Sequence, residues 1–310
     1  MDIDLITQIL FATIKTGTPL LLIALGEVIC EKSGVLNLGQ EGMMLMGAVV
    51  GFMSAFATGN LGLAVFAAMA MGALMSLIFG FLVLHLGANQ VATGLALTIF
   101  GTGLSAFIGS GVIGETLQGF QPIIIPVLSD IPVIGKILFT HDLLVYISFV
   151  VAAALAFIAN KTRLGLTLRA VGENPHAANA IGIKVLSIRY FAIMFGGAMA
   201  GLAGAYMSLS YTPMWVENMT SGRGWIALAL VVFASWRIGN IMLGAYLFGL
   251  ASIMHLVLQG MGWSISPNLL AMLPYVATVV VMVIISADQF KEKLLAPRSL
   301  GKPFDPRQMA

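Results

Sequence analysis

Five polar side chains, Glu27, Glu31, Asn37, Gln40 and Glu41, crowd into fifteen residues of an otherwise oily chain. A second pair, Asn89 and Gln90, opens another apolar run in GANQVATG, residues 87–94. Three kinds of chemistry fit such residues. A carboxylate can titrate and couple to an ion, Asn and Gln can hydrogen-bond a neutral polar solute, and any of them can cap a helix start or satisfy broken backbone. A carboxylate at mid-membrane costs about 2.5 to 3.5 kcal/mol on insertion scales, so it faces protein or water rather than lipid.

Other chemistries lack their residues. The sequence has no G-x-x-x-x-G-K-[ST] phosphate loop, no H-E-x-x-H and no Cys/His ligand cluster, so it encodes neither nucleotide hydrolysis nor a metal site. His85, His141, His176 and His255 are too dispersed to suggest a catalytic cluster. Cys30, the single cysteine, cannot form an internal disulfide and reads as a small packing residue. GTGLSA, Gly101 to Ala106, fits a loose dinucleotide fingerprint, but it sits in an apolar span with no preceding strand and reads as packing glycine.

The elements that position these residues are membrane helices. Of 310 residues 59% are hydrophobic and 9% charged, with a mean hydropathy of +0.99. A soluble domain carries roughly 25% charged residues to wet its surface. The net charge of +2 argues for no nucleic-acid partner. The start, MDIDLITQIL, has acids where a cleavable signal peptide has positive charge, so the first hydrophobic helix is expected to be retained.

A helix crosses about 30 Å of hydrocarbon in about 20 residues. Runs of that length predict about nine spans, within a range of eight to ten: 5–29, 35–57, 61–84, 89–109, 141–159, 188–209, 224–236, 240–259 and 267–287. Sorting Lys and Arg among the resulting loops gives about twelve on one side against two on the other. The positive-inside rule then places the amino terminus outside and the carboxyl terminus in the cytoplasm. The predicted fold is all-α, a single polytopic bundle over 1–310 with a basic cytoplasmic tail over about 288–310, read as a solvated end near anionic headgroups.

Two loops exceed a hairpin. The outer one, about 110–140, is rich in aliphatics and proline and is expected to fold against the bundle; its Glu115, Gln118 and Gln121 are candidates for docking or gating. The inner one, about 160–187, predicts a short helix with Asn174 as cap and Pro175 in the first position, running through HAANA to Gly182. The spacings Gly47/Gly51 and Gly197/Gly201, followed by Gly204, predict close helix packing. NLGQEGMMLMGA leaves the inner face, and NMTSGRGWIALAL leaves the outer face in the same style, a pattern that admits inverted repeats.

Three blocks, GEVICEKSGVLNLGQEGMMLMGA, ANQVATGLALTIFGTGLSAFIG and RLGLTLRAVGENPHAANAIGI, resemble permease subunits of ABC importers in the ribose and branched-chain amino acid group. The nearest likeness is to the shorter permease of nucleoside importers. The resemblance spans nearly the whole chain. It implies that Arg169, Gly172, Glu173, Asn174, Pro175 and His176 lie in the loop that docks into a separate ATPase. ATP would be bound there, leaving no cofactor in this chain. It further implies a second permease in a heterodimer in preference to a homodimer, an extracytoplasmic solute-binding lipoprotein or protein, and a place in the bacterial inner membrane. The expected activity is import of nucleosides or ribose-like sugars, with Asn37, Gln40, Glu41, Asn89 and Gln90 as candidates for the solute pathway. The rival is an ion-coupled secondary transporter using Glu27 or Glu41.

Overall fold

A helix that is apolar all round has its place inside a bundle, and the first helix has that composition. In the computed structural model, which describes residues 3–260 and 296–304 with positions 269, 272, 276, 279, 280 and 283, helix α1 (Ile3–Lys32) is buried from Thr13 to Glu31 except at Lys15. After it come α2 (Gln40–Thr58), α3 (Leu61–Gly80, continued as one π turn to His85) and α4 (Gln90–Gly109, ending in a 3-10 turn to Val112). A short α5 (Ile134–Leu138) precedes α6 (Leu143–Lys161), α7 (Arg163–Glu173) and α8 (Pro175–Ala180). The chain then forms α9 (Val185–Tyr206, with a π turn to Tyr211), α10 (Arg223–Phe233) and α11 (Ile238–Gly260). The described residues hold no strand, only one bridge between Thr116 and Met214.

Among the described residues seven helices are long and apolar enough to cross a membrane. They coincide with the first six predicted spans and the eighth. The seventh, 224–236, is instead α10, whose 11 residues rise only about 16 Å. Its limits are local. Gly222 precedes it with φ +81°, and Ser235 and Trp236 turn the backbone at φ +50° and +57°. The predicted span 267–287 lies outside the described residues.

The small-residue spacings do the expected packing. A Cβ on Gly47 would sit 2.5 Å from Gly201 Cα, one on Gly204 would sit 2.6 Å from Ala48 N, and one on Gly101 would sit 2.7 Å from Gly42 Cα. Backbone thus lies on backbone where α2 meets α9 and α4, the approach that glycine permits. The outward faces of α3, α4 and α6 expose Phe66, Ile99, Phe107, Val150 and Phe157, as lipid contact requires.

Helix ends carry their own stops. Asn60, Asn89 and Asp142 cap α3, α4 and α6 through side-chain oxygens, each replacing an acceptor that the first turn lacks. The loop 113–142 folds against the bundle: Leu117 N–H donates to Pro213 O at 3.0 Å and Phe120 N–H to Leu209 O at 2.9 Å.

Candidate functional site

Two breaks in the helical backbone organise the polar residues. The first, between α1 and α2, exposes the amides of residues 33–39 inside the protein, where an unpaired N–H is costly. Glu27, one and a half turns before the end of α1, meets that need: Asn37 N–H donates to its Oε1 at 3.0 Å and Gln40 Nε2 donates to its Oε2. Gln90, from the first turn of α4, accepts from Leu36 N–H at 2.8 Å. Asn37 Oδ1 takes Gly39 N–H at 2.9 Å, and Thr98 Oγ1 donates to Leu38 O at 2.9 Å. Glu27, Asn37 and Gln40 have no exposed surface.

The second break, residues 212–222, joins α9 to α10. Glu41 reaches across 180 residues of sequence to close it. Its Oε1 accepts from Gly222 N–H at 2.8 Å and from Thr220 Oγ1 at 2.5 Å, while Oε2 accepts from Gly224 N–H at 2.6 Å. A carboxylate at the first turn of a helix meets both its free donors and its dipole. Gly224 is obligatory because a Cβ there would lie 2.7 Å from Glu41 Cα. At the other end of α10, Trp236 Nε1 donates to Glu31 Oε2 at 2.5 Å. The two acids thus hold opposite ends of one short helix.

The structure therefore gathers Asn37, Gln40 and Gln90 around Glu27 and sends Glu41 to α10. Asn89 stands apart as an exposed cap, accepting from Ala92 N–H at 3.0 Å. Thr220, Gly222, Gly224 and Trp236 were not singled out by the sequence; the resemblance between the NLGQEG and NMTSGRG segments was the available signal, and these two segments touch.

At the end of the bundle that carries α7 and α8, which is also rich in Lys and Arg, Asn174 Oδ1 accepts from Ala177 N–H at 3.0 Å and Pro175 opens α8. Asn174→Ala should cost about 1 kcal/mol, read as faster hydrogen exchange in residues 175–180 with the rest of the bundle unchanged. The tail is not simply solvated. Ser299 Oγ and N–H both donate to Gly172 O, at 2.6 and 3.0 Å, and Gly301 N–H donates to Gly34 O at 3.3 Å. Arg189, fully buried, donates from Nη2 to Ser299 Oγ at 3.2 Å and from Nε to Ser33 O at 3.1 Å. Phe304 packs under Arg189 and beside His176, and an exposed Arg298–Glu173 pair at 2.7 Å completes the clamp. Buried partners on α7 and in the 33–39 turn hold this tail segment, which the basic composition alone did not convey.

A cavity of about 800 Å³ opens between these parts, lined among others by Lys32, Arg169, Glu173, Trp236, Arg237 and Arg298. It touches both α7 and the turn after α10. A change in α7 is thereby adjacent to the helix that Glu31 and Glu41 suspend.

Residues 9–286 match the family described as the branched-chain amino acid transport system, permease component. The protein TsgC13 of Haloferax volcanii, named for glucose ABC transport, is 42% identical over 264 residues, 84% of this chain and 80% of that protein. The guanosine ABC transporter permease protein NupQ of Bacillus subtilis is 35% identical over 322 aligned positions, 98% of both chains. The nucleoside ABC transporter permease protein NupC of Lactococcus lactis is 32% identical over 302, 92% of both. Each of these two bacteria also has a second, more distant relative, the permease proteins NupP at 28% and NupB at 26% identity. No solved structure matches the chain at a significant level. The match runs through nearly the whole bundle, both helix breaks included, and the chain belongs to the branched-chain amino acid transport system permease family as a permease component of an ABC transporter.

Proposed function

We propose that this permease imports nucleosides, or related neutral sugars, by alternating access driven by a separate ATPase. The observation that carries the solute class is the full-length similarity to a guanosine permease, 98% of both chains. A sugar is the second reading, favoured by the higher identity to TsgC13 over a shorter stretch. Uptake of radiolabelled guanosine and glucose by the assembled importer decides between them. Saturable, ATP-dependent guanosine uptake that excess glucose leaves unchanged supports the nucleoside reading, and the reverse pattern supports the sugar.

The pairing of NupQ with NupP in one organism, and of NupC with NupB in another, supports a heterodimer with a second, different permease. An extracytoplasmic binding protein would deliver the solute at the end opposite α7 and α8, with the chain in a bacterial cytoplasmic membrane. Asn37, Gln40, Glu41 and Gln90 would shape the pathway by holding the two breaks, with Asn89 fixing the start of α4.

In this reading α7 and α8 form the ATPase contact, built on Arg169, Gly172, Glu173, Asn174, Pro175 and His176. ATP-driven movement there would pass to α1 through Gly172 and the tail, and to α10 through the shared cavity. Glu173→Lys removes the partner of Arg298, and His176→Glu adds a charge on α8. Each is expected to lower ATPase co-purification by about tenfold while membrane insertion stays as in the parent. Undiminished co-purification would exclude this surface as the docking site.

A further inference from the structure

The break at residues 212–222 starts beside the loop 113–142, where Leu117 N–H donates to Pro213 O and Trp215 lies against Gly109 at the end of α4, and runs inward; two contacts fix how far. Tyr211 Oη is 3.5 Å from Thr16 Oγ1, and Thr16 precedes Lys32 by 16 residues of α1, about 24 Å. Gly222 is bonded to Glu41 one α10 length, about 16 Å, from the Glu31–Trp236 contact near the basic end. The stretch therefore descends from the far boundary of a hydrocarbon layer about 30 Å thick, at Pro213 to Trp215, to its middle at Gly222. One side of it is nevertheless bare. Glu217, Asn218 and Ser221 are exposed, and Tyr211, Arg223 and Trp225 are partly exposed.

Lipid cannot cover such a surface. Non-helical backbone at membrane depth is tolerated only inside protein or beside water, and intramembrane charges mark solute and ion paths. Arg223 makes no ion pair among the described residues. Its Nη1 donates to Met219 O and Thr220 O at 3.3 and 3.1 Å, and its guanidinium lies 5.6 Å over the Tyr211 ring. Asn218 and Ser221, at φ +54° and +50°, present their short polar side chains from a backbone that few residues adopt. Glu41 fixes that conformation from behind through Thr220, Gly222 and Gly224.

We propose that the face from Tyr211 to Trp225 is the solute-contacting wall of the translocation path, and that it takes a neutral ring solute bearing several hydroxyls. The chemistry matches such a solute. The Glu217 carboxylate can accept from adjacent hydroxyls of the solute, Asn218 and Ser221 can both donate and accept, and the Tyr211 and Trp225 rings offer apolar faces for a sugar or base. The inference rests on the importer reading and deepens it. It places the contacts on the exposed side of this segment, while Asn37, Gln40 and Gln90 are buried at the first break. The solute then travels along α10 toward the cavity at Trp236 and Arg237.

The test uses the assembled importer in proteoliposomes with Glu217→Cys or Ser221→Cys; the native Cys30 is fully buried. Phe66→Cys on α3 and Phe157→Cys on α6, at 70% and 63% exposed apolar positions, report on lipid contact. A membrane-impermeant cationic thiosulfonate should label residues 217 and 221 at least about tenfold faster than 66 and 157. The attached group, added after folding, should then cut uptake of guanosine or glucose about tenfold, with ATPase co-purification unchanged. Labelling no faster than the apolar controls would overturn the proposal, as would fully labelled complexes that transport at the parental rate. If the unlabelled importer carries neither solute, the nucleoside-or-sugar reading fails by itself, and the labelling contrast still decides whether this face meets water at depth.

Discussion

Glu41→Ala is expected to abolish uptake and lower stability by about 3 kcal/mol or more. The substitution leaves Gly222 N–H, Gly224 N–H and Thr220 Oγ1 without their acceptor, and a buried donor stripped of its partner costs about 1 to 3 kcal/mol. A melting temperature lower by about 5 °C or more follows for a chain of this size. Glu41→Gln separates hydrogen bonding from charge. It keeps the length and one carbonyl acceptor, so it should restore part of the stability but not the full three-way clasp. A Glu41→Ala protein that melts with the parent would show that α10 holds its place without this carboxylate. Hydrogen exchange at residues 220–226 locates the effect, since loosening should begin there.

Gly47→Leu should prevent a folded bundle altogether, while Gly51→Ala, one turn away in the same motif, should be nearly silent. At Gly47 a Cβ would stand 2.5 Å from Gly201 Cα and 2.7 Å from Gly201 O, and backbone cannot step aside as a side chain can. At Gly51 its nearest neighbour would be Ala68 Cβ at 3.3 Å, a shift of a few tenths of an ångström. Overpacking costs about 1 to 3 kcal/mol where side chains can adjust, and a wedge between two helix backbones exceeds that range. The measurement is the fraction of protein eluting as a single species in mild detergent. Comparable elution of Gly47→Leu and parent would mean that α2 and α9 need not touch.

The contrast between these two glycines shows what the sequence carries and what it withholds. Both belong to one G-x-x-x-G spacing, and spacing alone cannot say which of them faces backbone. Local features were legible for that reason: apolar runs of membrane length, the Asn174 cap with Pro175 behind it, and the polar threshold at Gln40 and Glu41. The destination of Glu41 was not, because its partners lie about 180 positions away and carry no periodic signal. The brevity of α10 was hidden too. Residues 224–236 are apolar except for Ser235, and the positive φ at Gly222 just before the run and at Ser235 and Trp236 within it bounds the helix. The tail misled in a different way, since its Lys, Arg and Pro suggested solvent while Ser299 and Phe304 hold it to buried partners.

That tail also sets an order of manufacture. Gly172, Gly34 and Arg189 receive their Ser299 and Gly301 contacts only after every described helix has left the ribosome. A truncated product ending before residue 296 would retain the long bilayer-crossing segments yet show α7 and α8 without their backing. The α7–α8 surface thereby takes its final form only once residues 296–304 have been made.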